Sequence, residues 1–192
     1  MKTDIILAGV GGQGILSIAA AIGTAAVQSN LYLKQSEVHG MSQRGGDVQS
    51  HLRISDKPIA SDLIPLGKGD IIISVEPMEA LRYLPYLAKG GWIVTNTTPF
   101  INIPNYPEPE KLMGTLKGLK NVIAIDADTI AKEAGSARSA NMVILGAASS
   151  YLNMPIEAIE KAVVTLFERK GQEIVDANLK ALHAGRDAAK AK

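Results

Sequence analysis

Cysteine is absent from all 192 residues. That excludes disulfide staples, and it excludes any iron–sulfur cluster held by this chain's own thiolates. Aromatic side chains are scarce, with one Trp and two Phe beside five Tyr, so no aromatic-lined pocket is evident. Histidine occurs three times, at His39, His51 and His183, with no spacing like that of a helical zinc site, so no metal site built by this chain alone is expected. No run approaches the roughly 20 uninterrupted apolar residues of a membrane-spanning helix. The longest candidate, 15–27, is interrupted by Ser17, Gly23 and Thr24. Charge of one sign is missing too: 20 basic residues stand against 19 acidic ones, a formal net charge of +1. No global field draws such a protein to nucleic acid or to an anionic membrane, so any partner is recognised locally. The start, Met1-Lys2-Thr3-Asp4, passes directly into an apolar strand pattern without a signal-peptide core, which points to the cytoplasm.

What is present is an alternation of short β-branched runs with longer helical patterns, of a length suited to one domain over residues 1–192. Asp4 to Ala8 reads as a buried strand and Ile15 to Gln28 as a helix. Further strands are expected at Tyr32 to Glu37, Val48 to Ile54, Asp70 to Val75, Trp92 to Thr95 and Asn121 to Ile125. In the run from Val48, the residues Gln49, His51 and Arg53 alternate with apolar and small ones, so one face of that strand is wet or contacts a partner. Helices are expected at Met78 to Leu87, stopped by Gly90-Gly91, at Asp128 to Glu133, Ala140 to Leu152, Ile156 to Glu168, and Gln172 to about Ala184. The 97–109 stretch carries four prolines and reads as an ordered irregular arm; the tail from Arg186 onward is expected to fray. Strands separated by helices make a Rossmann-like α/β fold, a mostly parallel sheet flanked by helices with a helical C-terminal part.

Two segments carry chemistry. Gly9-Val10-Gly11-Gly12-Gln13-Gly14 fits the G-x-G-x-x-G pattern between a strand and a helix, and Glu37 ends the next strand. Glycines let a backbone approach a pyrophosphate, a helix N-terminus offers free N–H groups, and a carboxylate takes ribose hydroxyls. The same glycines equally make a tight turn and a close helix–sheet contact with no ligand. In the second segment His39, Ser42, Gln43 and Arg44 lie between Gly40 and the Gly45-Gly46 pair. Such a loop either presents the Arg44 guanidinium to a carboxylate, phosphate or carbonyl of a partner, or folds it back onto an acid such as Glu76. His39 is open to a proton-relay role or a structural one. Ser139 and Asn141 read as capping or packing groups.

Taken in order, Gly-Val-Gly-Gly-Gln-Gly and Glu37-Val38-His39-Gly40-Met41-Ser42-Gln43-Arg44-Gly45-Gly46 resemble the gamma-type domain of the 2-oxoacid:ferredoxin oxidoreductases. Ser36 to Met41 is most similar to the indolepyruvate branch of that family. The likeness continues through Glu76 to Tyr83, Asp126-Ala127-Asp128 and Ala140 to Gly146, covering nearly the whole chain. It implies an accessory beta or gamma subunit, without catalytic residues or bound cofactor of its own. Thiamine diphosphate, Mg²⁺ and iron–sulfur clusters are then expected in a larger alpha subunit, coenzyme A as cosubstrate, and ferredoxin as electron acceptor. No Gly-Asp-Gly with a downstream Asn pair for thiamine diphosphate is present; Gly45-Gly46-Asp47 is not that motif. The resemblance places Gly9, Gly11, Gly12, Gln13 and Gly14 as a ligand or interface loop. It places His39, Ser42, Gln43, Arg44, Gly45 and Gly46 at the partner interface or active-site border. Two alternatives stand beside it: a self-contained NAD(P)- or flavin-binding oxidoreductase using Glu37, and a non-catalytic nucleotide-sensing module.

Overall fold

The computed structural model describes residues 1–39, His39 by its backbone alone, and 45–191. Strand β1 (Lys2–Val10) is buried from Thr3 onward because the sheet is covered on both faces. It leads through a glycine turn into α1 (Ile15–Gln28). Strands β2 (Tyr32–His39) and β3 (Asp47–Ser55) follow, then β4 (Gly69–Ser74) and the short helix α2 (Pro77–Arg82). Strand β5 (Leu87–Asn96), α3 (Pro109–Gly118), β6 (Val122–Ile125) and α4 (Ala127–Glu133) complete the alternation. Helices α5 (Ala140–Ala148), α6 (Ile156–Phe167) and α7 (Gln172–Lys190) close the chain.

The sheet has six strands in the order β2-β3-β1-β4-β5-β6. Pairings β1–β4, β4–β5 and β5–β6 are parallel, whereas β3 is antiparallel to both β1 and β2. Only β3 therefore runs against the other strands. Alternation along each strand feeds two cores. Ile5, Leu7, Ile71, Ile73 and Val94 pack under α1, α4, α5, α6 and α7. Ile6, Ala8, Ile72 and Ile93 pack with Ala80, Leu112 and Leu116 of α2 and α3 and with Ile64.

The structure corrects several expectations. The helix expected to reach Leu87 ends at Arg82, followed by a 3₁₀ turn at Leu84–Tyr86, because Pro85 has no N–H to continue the ladder. Gly90-Gly91 accordingly lies inside β5 rather than at a helix end. The proline arm is irregular over 97–108, but Pro109 opens a helix, α3, that the sequence patterns did not separate from it. The tail does not fray at Arg186: α7 continues to Lys190, with Arg186 donating to Ser149 Oγ at 3.0 Å and Lys190 paired with Asp187.

The polar face of β3 is covered by the chain itself. His51 is buried, its Nδ1 accepting from Ile64 N–H at 2.9 Å with its ring edge-on to Tyr86. Burial also lowers the His51 pKa. Arg53 forks onto the fully buried Asp4 (2.8 and 3.0 Å) and donates to the carbonyls of Ser61 and Leu63. No helix of the described residues is long and apolar enough to cross a membrane.

Candidate functional site

The first glycine turn is closed by its own side chain: Gln13 Oε1 accepts from Val10 N–H at 2.9 Å, and Gln13 N–H donates to Val10 O at 3.1 Å. Gly14 caps α1 with φ of 82°, a left-handed conformation that costs a side-chain-bearing residue energy. A Cβ there would lie 2.6 Å from Asn141 Nδ2, the group that donates to Gly14 O at 3.2 Å. A Cβ at Gly9 would meet Val75 Cγ2 at 2.5 Å. Packing thus accounts for Gly9 and Gly14, whereas Gly12 faces open space. Asn141 acts as the packing group expected, and Ser139 is buried, its hydroxyl bonded to Ser136.

The structure brings the two glycine segments together. Val10 is paired with Asp47 at the end of the β1–β3 ladder, and the pairing runs on as Gly11 N–H to Gly46 O at 2.8 Å and Gly45 N–H to Gly11 O at 3.3 Å. Asn102 of the proline arm donates its amide to Gly45 O. Ser42, Gln43, Arg44 and the His39 side chain lie outside the described residues.

The same ladder separates Glu37 from the first turn. Glu37 is on the edge strand, opposite Ser50, which in turn faces Leu7. At the usual strand spacing that is about 10 Å from β1, with β3 between. In a dinucleotide site the acidic strand adjoins the strand bearing the glycines, so the fingerprint's ribose partner is displaced here.

Beyond the carboxyl ends of β1, β4 and β5, where open α/β sheets bind ligands, lies a cleft of about 480 Å³. Gly12, Gln13, Asn96, Phe100, Arg138 and Asn141 are among its lining residues. Asn96 ties its walls together, donating to Asp128 Oδ2 at 2.9 Å and accepting from Ala127 N–H at 3.0 Å and Thr98 N–H at 3.3 Å. Arg138 makes no ion pair among the described residues. The lining offers amides, a hydroxyl, one guanidinium and the Asp128 carboxylate that Asn96 engages, a set suited to holding a polar group. Asn96, Arg138 and Phe100 were not singled out from sequence. Their common signal is position after the end of a parallel strand or at the start of a helix, which becomes visible only once strand order is known.

Beside this cleft, Glu76 is fully buried and caps α2 through Glu79 N–H at 2.9 Å. Its carboxylate also accepts from Phe100 N–H at 3.2 Å and from the Tyr106 hydroxyl, pinning the proline arm. Burial raises the Tyr106 pKa, helped by Glu76, so the hydroxyl remains a donor. Glu79, 2% exposed, accepts from Arg82 Nε at 2.7 Å and Nη2 at 3.2 Å. Tyr83 donates to Asp47 Oδ2 at 2.6 Å. Burial pushes the Glu79 pKa up to about 7, with Arg82 opposing and Asp47 adding to the rise.

Fold and site together define a Rossmann-like domain with fused glycine turns and a polar cleft, in which an antiparallel strand stands where a dinucleotide-binding sheet would place its acidic strand. The family profile described as pyruvate ferredoxin/flavodoxin oxidoreductase matches residues 4–188, and the chain belongs to that family. It is 40% identical over 194 residues to the indolepyruvate oxidoreductase subunit IorB of Archaeoglobus fulgidus, covering 96% of this chain and 94% of that one. Among solved structures it is similar to the gamma subunit of a keto/oxoacid ferredoxin oxidoreductase from Geobacter sulfurreducens, with a TM-score of 0.73, 26% identity and 99% of each chain covered. It is also similar to the 2-oxoglutarate:ferredoxin oxidoreductase of Magnetococcus marinus with 2-oxoglutarate, coenzyme A and succinyl-CoA bound. There the TM-score is 0.78 at 25% identity, over 100% of this chain and 31% of that one.

Proposed function

We propose that this chain is the smaller, gamma-type subunit of a cytoplasmic indolepyruvate:ferredoxin oxidoreductase, working as one domain over residues 1–192 beside a larger alpha subunit. The observation that carries the proposal is its near full-length 40% identity to an IorB subunit. In this assignment the larger subunit holds thiamine diphosphate, Mg²⁺ and the iron–sulfur clusters. The complex oxidatively decarboxylates an aryl 2-oxoacid, passes the acyl group to coenzyme A and passes two electrons to ferredoxin. A chain without cysteine does not ligate the clusters, and no group of three or more His, Cys, Asp or Glu suited to a metal occurs among its described residues.

This chain's own residues then bind and position. The paired turns at 9–14 and 45–46 present a rigid, low-bulk edge to the larger subunit, with His39, Ser42, Gln43 and Arg44 bordering its active centre. The cleft lined by Gln13, Arg138 and Asn141 offers donors to an anionic or amide-bearing group entering from that side. Reconstitution tests this. The purified chain is expected to be inactive, and adding the cognate larger subunit should restore 2-oxoacid-dependent, coenzyme A-dependent reduction of ferredoxin. A larger subunit equally active alone would remove the accessory role.

A further inference from the structure

We propose that the open edge of β2 and the uncharged face of α1 beside it form a docking groove for an extended segment of the larger subunit, which adds to the sheet as a further strand. The inference rests on the subunit assignment above. β2 ends the sheet on one side with eight residues, whereas β6 at the other edge has four. An edge strand directs the N–H and C=O groups of alternate residues outward, and a long edge is a template for another strand unless proline, a bulge or charged side chains guard it. β2 has no proline and pairs with β3 in one uninterrupted register. Its one lysine, Lys34, is turned back to donate to Ala60 O at 3.0 Å.

A groove of about 500 Å³ runs alongside that edge. Its helix wall includes Ala20, Gly23, Thr24 and Val27, one face of α1 at three- and four-residue spacing, and its strand wall is Leu33 and Gln35, alternate residues of β2. No charged side chain lines it, and α1 carries none over its 14 residues. Ala20 is exposed, and Val27 is 60% exposed. A strand laid beside β2, about 4.8 Å beyond it, sends every second side chain into this groove. On the opposite face its remaining side chains meet Tyr32 and Val38, 50% and 64% exposed. The groove therefore takes an extended segment with small or branched aliphatic side chains at alternate positions, and a charged side chain entering it finds no partner.

Two observations say which chain supplies the strand. A second copy pairing through β2 about a two-fold axis places one residue opposite itself. With Lys34 or Glu37 on the axis, like charges face each other; with Gln35 there, Glu37 faces Leu33; with Ser36 there, Lys34 faces Val38. Each register of useful length sets a charge against its like or against an aliphatic side chain, which disfavours self-pairing. Continuity favours the larger subunit. His39, the last residue of β2, shares a row with Val48 and Gly9, so the edge ends beside the glycine turns assigned above to that subunit's side.

Hydrogen–deuterium exchange of the full chain, alone and in complex with the cognate larger subunit, tests the pairing, because strand addition protects the outward amides of β2. Residues 32–38 are expected to exchange about tenfold more slowly, or slower still, in the complex. Ala20→Glu and Ala20→Lys place a charge of either sign at the groove. Each should weaken binding of the larger subunit about tenfold or more by calorimetry, and leave the lone chain's Tm within about 2 °C, as for other exposed substitutions. A complex in which residues 32–38 exchange as in the lone chain, or in which either variant binds as the wild type does, overturns the proposal and leaves the subunit assignment standing. So does a dimer of the lone chain in analytical ultracentrifugation that Ala20→Glu dissociates, since the edge then belongs to a second copy. Failure of the wild-type chain to bind the larger subunit at all overturns the subunit assignment, and this proposal with it.

Discussion

Helices α5 and α7 cross where Gly146 meets the backbone of Leu182 and Gly185 meets that of Val143. A Cβ at position 146 would stand 1.8 Å from Leu182 O and 3.0 Å from Arg186 N. Non-bonded heavy atoms prefer about 3.5 Å, so Gly146→Ala forces the helix axes apart by roughly 1.5 Å. The obstacle is backbone, which cannot rotate aside, and α5 is buried from Met142 through Ala148 with nowhere to retreat. Overpacking of this kind costs about 3 kcal/mol, at the upper end of its usual range, while alanine returns about 1 kcal/mol of helix propensity. The net loss is about 2 kcal/mol, which lowers Tm by about 4–8 °C for a chain of this size. Gly114→Ala is the matched control: it lies on the exposed face of α3 with nothing within 4 Å of its would-be Cβ. It should raise Tm by about 2–4 °C for a gain near 1 kcal/mol. Differential scanning calorimetry on both variants gives the answer. A Gly146→Ala protein as stable as the wild type would refute the close-crossing argument. The crossing also bears on the cleft, because α5 begins with Ala140 and Asn141, and Asn141 holds the Gly14 carbonyl.

Arg44→Ala should weaken assembly or turnover well over tenfold, since truncating one side of a buried charge-assisted contact costs about 2–5 kcal/mol. The lone chain's Tm should hardly move, and unfolding of the lone chain with unchanged partner affinity would make the loop structural. The purified chain should bind neither NAD nor NADP in calorimetric titration; micromolar binding weakened by Glu37→Ala would restore the dinucleotide site. Arg53→Ala leaves the buried Asp4 carboxylate with only the exposed Lys2 as ion-pair partner and frees the carbonyls of Ser61 and Leu63. The expected cost of about 3–5 kcal/mol lowers Tm by about 10 °C, whereas a change under about 2 °C would show the pair to be dispensable. Because the Glu79 pKa is raised in the fold from 4.5 to about 7, its contribution to stability is fully present below pH 4.5 and is lost as pH rises through 7. His51 is shifted the opposite way and contributes stability above its ordinary value. The test is therefore the difference between wild type and Glu79→Gln, which should shift in favour of the variant between pH 4.5 and 7 and level off above. A difference flat across that window would remove Glu79 as the titrating group.

Much of the architecture was legible because it is written locally. The run Ile5-Ile6-Leu7-Ala8 demands burial on both faces, the glycines at 9–14 demand a turn, and Ile15 to Gln28 forms the helix its composition favours. The absence of cysteine likewise excludes, from composition alone, a cluster held by this chain's own thiolates. The similarity of its ordered motifs carried the family before any fold was known. Other features could not be read because they depend on partners distant in the chain. Whether the strand from Asp47 joins β1 in parallel or antiparallel is decided by which ladder buries Val48, Leu52 and Ile54 while leaving Arg53 to meet Asp4. That choice inserts β3 between β1 and β2 and carries Glu37 away from the glycine turn, so a local dinucleotide signature and its global context disagree. Only the folded chain shows that 56–64 covers the polar face of β3, that Pro85 rather than Gly90-Gly91 ends the helix after Pro77, and that Asn96, Arg138 and Asn141 share one cleft. It likewise buries Glu76 and Glu79 beside the proline arm, and the raised proton affinity of Glu79 follows from that burial, a property of a place in three dimensions that no stretch of sequence carries by itself.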